Sequence, residues 1–349
     1  MSLLQRWVAF LTALWYLSYH QLCGEGWIRF QSARQWRPML SPQQERRCRH
    51  YFRGALFLGA IFAAQRGSLM CAAERRQFAR LAALAALFDD TVEQAGRIIC
   101  TQPLEEAEMS TWHKRRSAQG LHSTPLFPLH TFAHQADPGG TLLFFLKKIR
   151  AKLLDATAIL FEKTLLKVFQ LEIHGLACSN VLQNSNKAVE VAIEKGAYSA
   201  LLFRLLLDPP PSAAERRLAM ALGAFVQACD DIFDLWHDAH HHLYTPARWW
   251  AEAGRLEQVS RHLDGLWKSL AQASLNAPAA SQRARHAALV LAGLLGLLTR
   301  FCLHHYHRLL KKHGTLPWHD RRAMVLDMAR WSTRLRAFFF ACRNNFFPT

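Results

Sequence analysis

Two apolar helices that each end in a cluster of carboxylates constrain this chain more than anything else in its sequence. The first is Leu81–Phe88, built only from Leu, Ala and Phe, which leads at once into Asp89, Asp90 and, one turn on, Glu93. A helix that is apolar on every side belongs in the middle of a protein. Acids at its end are therefore placed where desolvation and mutual repulsion both oppose ionisation. Asp89 and Glu93 are i and i+4 and share a face. The second is Leu218–Cys229, interrupted only by Gly223 and Gln227, which delivers Asp230, Asp231, Asp234 and Asp238. Asp230, Asp234 and Asp238 form one i, i+4, i+8 stripe, and no Lys or Arg from Leu218 to Asp238 neutralises it. A hard divalent cation would, and oxygen-only ligands suit Mg²⁺, which keeps water and phosphate oxygens in its shell. One such cluster reads equally well as a solvated helix end. Two of them in a strongly basic chain do not.

The remainder reads as helix, so the expected fold class is all-α. Hydrophobic residues make up 51% of the chain and recur at helical spacing, while β-branched residues are sparse. Helices are predicted near 3–20, 42–66, 74–100, 141–178, 182–207, 212–243, 247–273, 279–313 and 318–342. Ser41-Pro42, Pro211-Ser212 and Asp320 carry start signals, and Pro209 to Pro211 forms a firm break. The stretch Gln102 to Gly140, with Pro103, Pro125, Pro128 and Pro138, is irregular and follows the first acid cluster, where it is positioned to cover a site. Residues 1–40 are expected as an N-terminal helix and lead-in packed on a single helical domain of 41–349. The apolar, aromatic stretch Trp7 to Tyr19 is too short to span a bilayer and lacks a small-residue cleavage pattern. It reads as a packed first helix, with an interfacial membrane helix as the alternative.

The formal charge is +17, from 43 Lys and Arg against 26 Asp and Glu, which draws anionic partners: nucleic acid, an acidic membrane or a phosphorylated small molecule. The basic residues come in short clusters, such as Arg46, Arg47 and Arg49, whose default reading is a solvated helix face. Eight cysteines without a CxxC pair suggest reduced thiols and a cytoplasmic location. The run His237, His240, His241 and His242 points in several directions along a helix and makes a poor tetrahedral metal set. There is no phosphate-cradling glycine loop, Rossmann fingerprint or nucleophile elbow.

The segment Val189 to Asp238 resembles the class I isoprenoid synthases, which include the trans-polyprenyl diphosphate synthases and class I terpene synthases. Lys195 to Phe203 looks like the region in which that family's lysine contacts diphosphate, and Gln227-Ala-Cys-Asp230-Asp231-Ile-Phe-Asp234 looks like its FQxxDDxxD block. Asp89, Asp90 and Glu93 match the first aspartate motif. The resemblance implies a helical bundle around a central apolar cavity with the two motifs facing each other. It further implies three Mg²⁺ ions, held by Asp89, Asp90 and Glu93 on one side and Asp230 and Asp234 on the other, with Lys195 gripping the diphosphate. Asp231 and Asp238 complete the candidate metal-ligand set, and Gln227 and Asp238 support it from behind. Phe88, Tyr198, Phe203 and Phe225 are candidates to line the cavity, Leu84 and Ala85 to set its depth, and Tyr306 and Arg308 to reach the diphosphate.

Departures from the family pattern bear on the reaction. Chain-elongating members hold isopentenyl diphosphate with a GGKRxRP-like segment; here Glu45-Arg-Arg-Cys-Arg49-His50 has the charge without the glycines or proline. Only Arg97 stands where an arginine pair is expected, Gly196 replaces the threonine after Lys195, and His240 to His242 stand where a lysine is expected. The expected activity is thus Mg²⁺-dependent ionisation of one linear allylic prenyl diphosphate, followed by cyclisation or rearrangement. The alternative is a prenyltransferase that adds isopentenyl diphosphate. Among such relatives a helical homodimer is common. The expected partners are the prenyl diphosphate and at most a peripheral membrane contact, with no nucleic acid. A rival of another class, a basic helical binder of nucleic acid or membrane surfaces, explains the charge but not two buried acid clusters. An inactive synthase fold kept as a subunit is opposed by the intact acid motifs.

Overall fold

The computed structural model of the 349-residue chain describes residues 3–31, 40–99, 140–178, 185–241 and 243–326, together with 333, 336, 337 and 340. Every regular element of more than one residue among them is an α-helix, as expected. In chain order these are α1 (Leu3–Gln31), α2 (Pro42–Arg66), α3 (Ala72–Ile99), α4 (Thr141–Arg150), α5 (Asp155–Cys178), α6 (Ser185–Leu205), α7 (Ala213–Phe233), α8 (Leu235–His240), α9 (Pro246–Glu252), α10 (Leu256–Asn276), α11 (Gln282–His313) and α12 (Arg321–Met324). The expected irregular stretch after the first acid cluster, and most of the last predicted helix, lie outside the described residues.

The start signals act as the sequence suggests. Ser41 and Ser212 each close a capping box, with Gln44 and Glu215 as the reciprocal partners. Asp320 accepts hydrogen bonds from the backbone N–H groups of Arg322 and Ala323. Three of the long predicted helices are each split in two. The helix expected over 141–178 breaks after Arg150, where Lys147, Lys148 and Arg150 crowd a C-terminus they complement electrostatically, and it restarts at Asp155. The helix expected over 247–273 breaks at Gly254, whose φ of +70° suits only a residue without a Cβ. The helix expected over 212–243 is interrupted at Asp234, and α8 follows at once. Across that interruption Asp234 N–H still donates to Asp230 C=O and Asp238 N–H to Asp234 C=O, so the acidic register survives.

The helices share one apolar core, in which Phe52, Phe78, Phe145, Phe161, Phe225, Leu222 and Ile232 are among the largest fully buried side chains. α1 packs on α2 and α11, and α11 also lies against α7 and α10. By length and composition α11 is apolar enough to cross a membrane, and most of its apolar stretch is buried inside the bundle. The most extensive pair is α6 with α7. They cross through Gly196 and Gly223: a Cβ built on Gly196 would stand 2.4 Å from the Gly223 carbonyl oxygen, and one on Gly223 would stand 2.0 Å from that of Gly196. Only glycine permits backbones to approach this closely. The connection between the two helices is clamped by Arg204, which donates to Glu215 at 2.6 Å and to the Pro209 carbonyl at 3.0 Å. The glycine after Lys195 is thus explained by packing.

Candidate functional site

The crossing of α6 and α7 carries Lys195 to the wall that displays Asp230 and Asp231, and α3 brings Asp89 to the same place. These residues line one cavity of about 260 Å³. Around it stand six carboxylates, those of Asp89, Glu172, Asp230, Asp231, Asp234 and Asp238, against two cations, Arg47 and Lys195. Between them the lining is apolar, with Leu171, Ala188, Val191, Ala192, Leu243 and Pro246.

Each wall fixes its acids. On α2, Arg47 and Tyr51 are one turn apart; the Tyr51 hydroxyl donates to Asp89 Oδ2, and Arg47 Nη1 pairs with Asp90 Oδ1 at 2.6 Å. On α7, Gln227 Nε2 donates to Asp231 Oδ1 at 2.8 Å. Beyond the interruption, the Thr245 hydroxyl donates to Asp238 Oδ2 at 3.0 Å. Across the cavity the Lys195 ammonium grips both oxygens of Glu172, at 2.7 and 2.9 Å.

The carboxylates hold their protons unusually well. Burial, reinforced by the Glu172 charge, pushes Asp89 up to about 7, although Lys195, Tyr51 and Arg47 pull the other way. Burial and the neighbouring charges of Asp234 and Asp231 raise Asp230 to about 7. Asp230 opens onto the cavity, and protein crowded around its carboxyl outweighs that exposure. Asp231 reaches about 6, restrained by its bond from Gln227 and by Lys195. Asp238, only 5% exposed, reaches about 8 through burial and the Asp231 charge. Tyr51 is raised by burial and by Asp89, so it stays protonated and remains a donor. For Lys195 burial works against the charged form, but Glu172 and Asp89 more than offset it and hold the ammonium above its ordinary range.

An acid cluster this short of counter-charge asks for cations. Its donors are all oxygens, which would suit Mg²⁺ held by a few carboxylates with water or phosphate oxygens filling its shell. Among the described residues no three His, Cys, Asp or Glu side chains converge as a preassembled metal cage.

Other expected site residues are placed differently. Phe88 is 2% exposed and stacks on Phe169, ring centroids 3.6 Å apart, beneath the Asp89 wall. Leu84 is buried, Ala85 partly so, and neither lines the cavity. Tyr198 packs against the core beside Lys167, Phe203 against Phe78 and Phe225 against Trp267. Tyr306 is buried and donates to the Ile232 carbonyl at 3.3 Å, while Arg308 is exposed to solvent. Glu93 continues α3, but its side chain lies outside the described residues. The rings that line the described cavity are Tyr51, His237 and Tyr244. His240 stacks on Trp236 rather than joining a metal set.

The sequence reading missed Glu172, Tyr51 and the role of Arg47. Glu172 had a signal: it is the only acid in the otherwise mostly apolar run from Thr164 to Cys178. Arg47 and Tyr51 had one too, since their i, i+4 spacing turns both to one face of α2.

The described residues thus define an all-helical protein with an acid-lined cavity. No family model, curated protein or solved structure matches the chain.

Proposed function

We propose that the chain is a Mg²⁺-dependent class I isoprenoid synthase that ionises a linear allylic prenyl diphosphate and cyclises or rearranges the resulting cation. The observation that carries this reading is the meeting of Asp89 with Asp230 and Asp231 around one cavity, with Lys195 between them, although the acids lie on helices far apart in sequence. Mg²⁺ held by Asp89 and by Asp230 and Asp234, with Asp90 beside them on Arg47, would neutralise the charge that develops on the leaving diphosphate. Lys195 contributes a fixed positive charge to the same end, and Glu172 holds its ammonium in place. Arg47 and Tyr51 orient the first acid pair. The apolar lining residues, Leu171 and Val191 to Leu243, suit the hydrocarbon of such a substrate.

A second reading, chain elongation, is favoured by one observation. Arg47, from the basic segment where elongating relatives hold isopentenyl diphosphate, lines the cavity. The deciding experiment supplies the purified protein with Mg²⁺ and prenyl diphosphates of graded length, each with and without isopentenyl diphosphate. Hydrocarbons or alcohols from one allylic substrate alone support the cyclase. Longer diphosphates that form only with isopentenyl diphosphate support the elongase. Asp89→Ala and Asp230→Ala should each abolish turnover with the fold intact; full activity in both would sink the site.

A further inference from the structure

α1 is apolar on both of its faces, but among the described residues protein covers only one. Ala9, Ala13, Tyr16 and His20 point inward and are buried. On the outer side Trp7, Leu11, Leu14, Trp15 and Leu22 are 49%, 60%, 36%, 61% and 75% exposed. Five of the nine large hydrophobic side chains exposed among the described residues therefore lie on this one strip. It runs about 22 Å along the helix. A helix apolar all round is normally covered all round.

The borders of the strip say what covers it. Arg283 reaches over from α11 to Thr12, with Nε and Nη2 at 3.1 and 2.9 Å from its hydroxyl. Arg75 of α3 lies over the Tyr19 ring, 5.8 Å from its centroid. Arg53 of α2 adjoins the far end, where its carbonyl accepts from Gln21 Nε2 at 3.3 Å. From Leu3 to Gly24 the helix carries no Asp or Glu. The first acid of the helix is Glu25, beyond Leu22; tryptophan and leucine flanked by arginine form the pattern of a helix lying in a membrane interface. A second copy would bring another +17 charge to the same arginine-bordered strip, whereas an anionic bilayer is drawn to it.

We infer that the outer face of α1 docks the protein on an anionic lipid surface, with Trp15 and Leu22 entering the interface and Arg75 and Arg283 meeting the headgroups. The inference stands apart from the proposed reaction, and its test needs no substrate. The full chain is floated with phosphatidylcholine vesicles with and without phosphatidylglycerol, beside the double variant Trp15→Ser/Leu22→Ser. Binding should require phosphatidylglycerol, with pure phosphatidylcholine at least about tenfold weaker. It should also fall at least about tenfold in the double variant. Both side chains are well exposed, so an unchanged circular dichroism spectrum and melt are expected of the variant. For the unmodified protein, brominated phosphatidylglycerol should quench tryptophan fluorescence. Three results overturn the inference: equal flotation of parent and variant, equal binding to neutral vesicles, or a parent that ignores vesicles but forms a dimer which the double substitution dissociates.

Discussion

Replacing Asp238 by Asn should stabilise the ligand-free protein, and increasingly so as the pH rises. Asp238 is 5% exposed, accepts from Thr245, and is pushed up from 3.8 to about 8, first by burial and then by Asp231. The folded state therefore binds the proton more tightly than the unfolded one. Below pH 3.8 both states carry it and there is no penalty. Between 3.8 and about 8 the unfolded carboxyl ionises while the folded one does not, so stability is lost across that window and levels off above it. At ~1.4 kcal/mol per pH unit the full gap corresponds to about 6 kcal/mol. Relaxation beside an open cavity reduces this to ~2–3 kcal/mol, because the effective dielectric at such sites is high. Asn keeps an oxygen for the Thr245 hydroxyl and removes the titration. In thermal melts without Mg²⁺, parent and D238N should differ little at pH 4.5. By pH 8 they should diverge by about 5 °C in favour of the variant. A difference that does not grow with pH, or a variant that melts lower at pH 8, would refute the placement of Asp238 as a buried acid in a crowded cluster.

Other outcomes follow from particular contacts. Lys195→Met should destabilise by ~3 kcal/mol in urea unfolding, because it leaves Glu172 and Asp89 without their nearest positive charge. Glu172→Gln should cost only about 1 kcal/mol, since Asp89 and Asp231 still face the ammonium; the reverse order would contradict the network. Gly196→Ala must push a Cβ against the Gly223 carbonyl and should cost ~2–3 kcal/mol in the same assay, with any Mg²⁺-dependent turnover falling more steeply. His20 is fully buried, and neither ring nitrogen has a hydrogen-bond partner. Burial, with Arg75 adding to it, lowers its pKa from 6.5 to about 4, so stability present above pH 6.5 is lost as the pH falls toward 4. His20→Leu should remove that loss, which calorimetry at pH 7 and pH 4.5 would show as a shift of Tm confined to the acid side.

Much of the helix pattern was legible because local signals act locally. Ser41, Ser212 and Asp320 announce their helices through their own side chains, and Gly254 ends one through its own backbone. Gly254 was overlooked because the apolar spacing runs on past it. The acids of the site were legible because charge at the end of an apolar helix is costly wherever that helix packs. Their partners were not. Tyr51 meets Asp89 and Glu172 meets Lys195 only through tertiary packing, and no periodicity within α2 or α5 names the helix that will lie opposite. Phe88, Tyr198 and Phe225 illustrate the converse. Being near a motif in sequence placed them on the same helix, but at angular positions that turn their rings into the core.

The contact between Gly196 and Gly223 has one further consequence. Where two backbones already touch, the distance between the helices is at its floor and can change in one direction only. Any heavier residue at either position is a spacer that moves the lysine-bearing wall away from the aspartate-bearing one, while substitutions elsewhere on the two helices leave the floor untouched. Mutability of the cavity's width is therefore one-sided. A chain of this kind can drift or be engineered toward a wider, weaker grip through two positions, and a tighter one is closed to it.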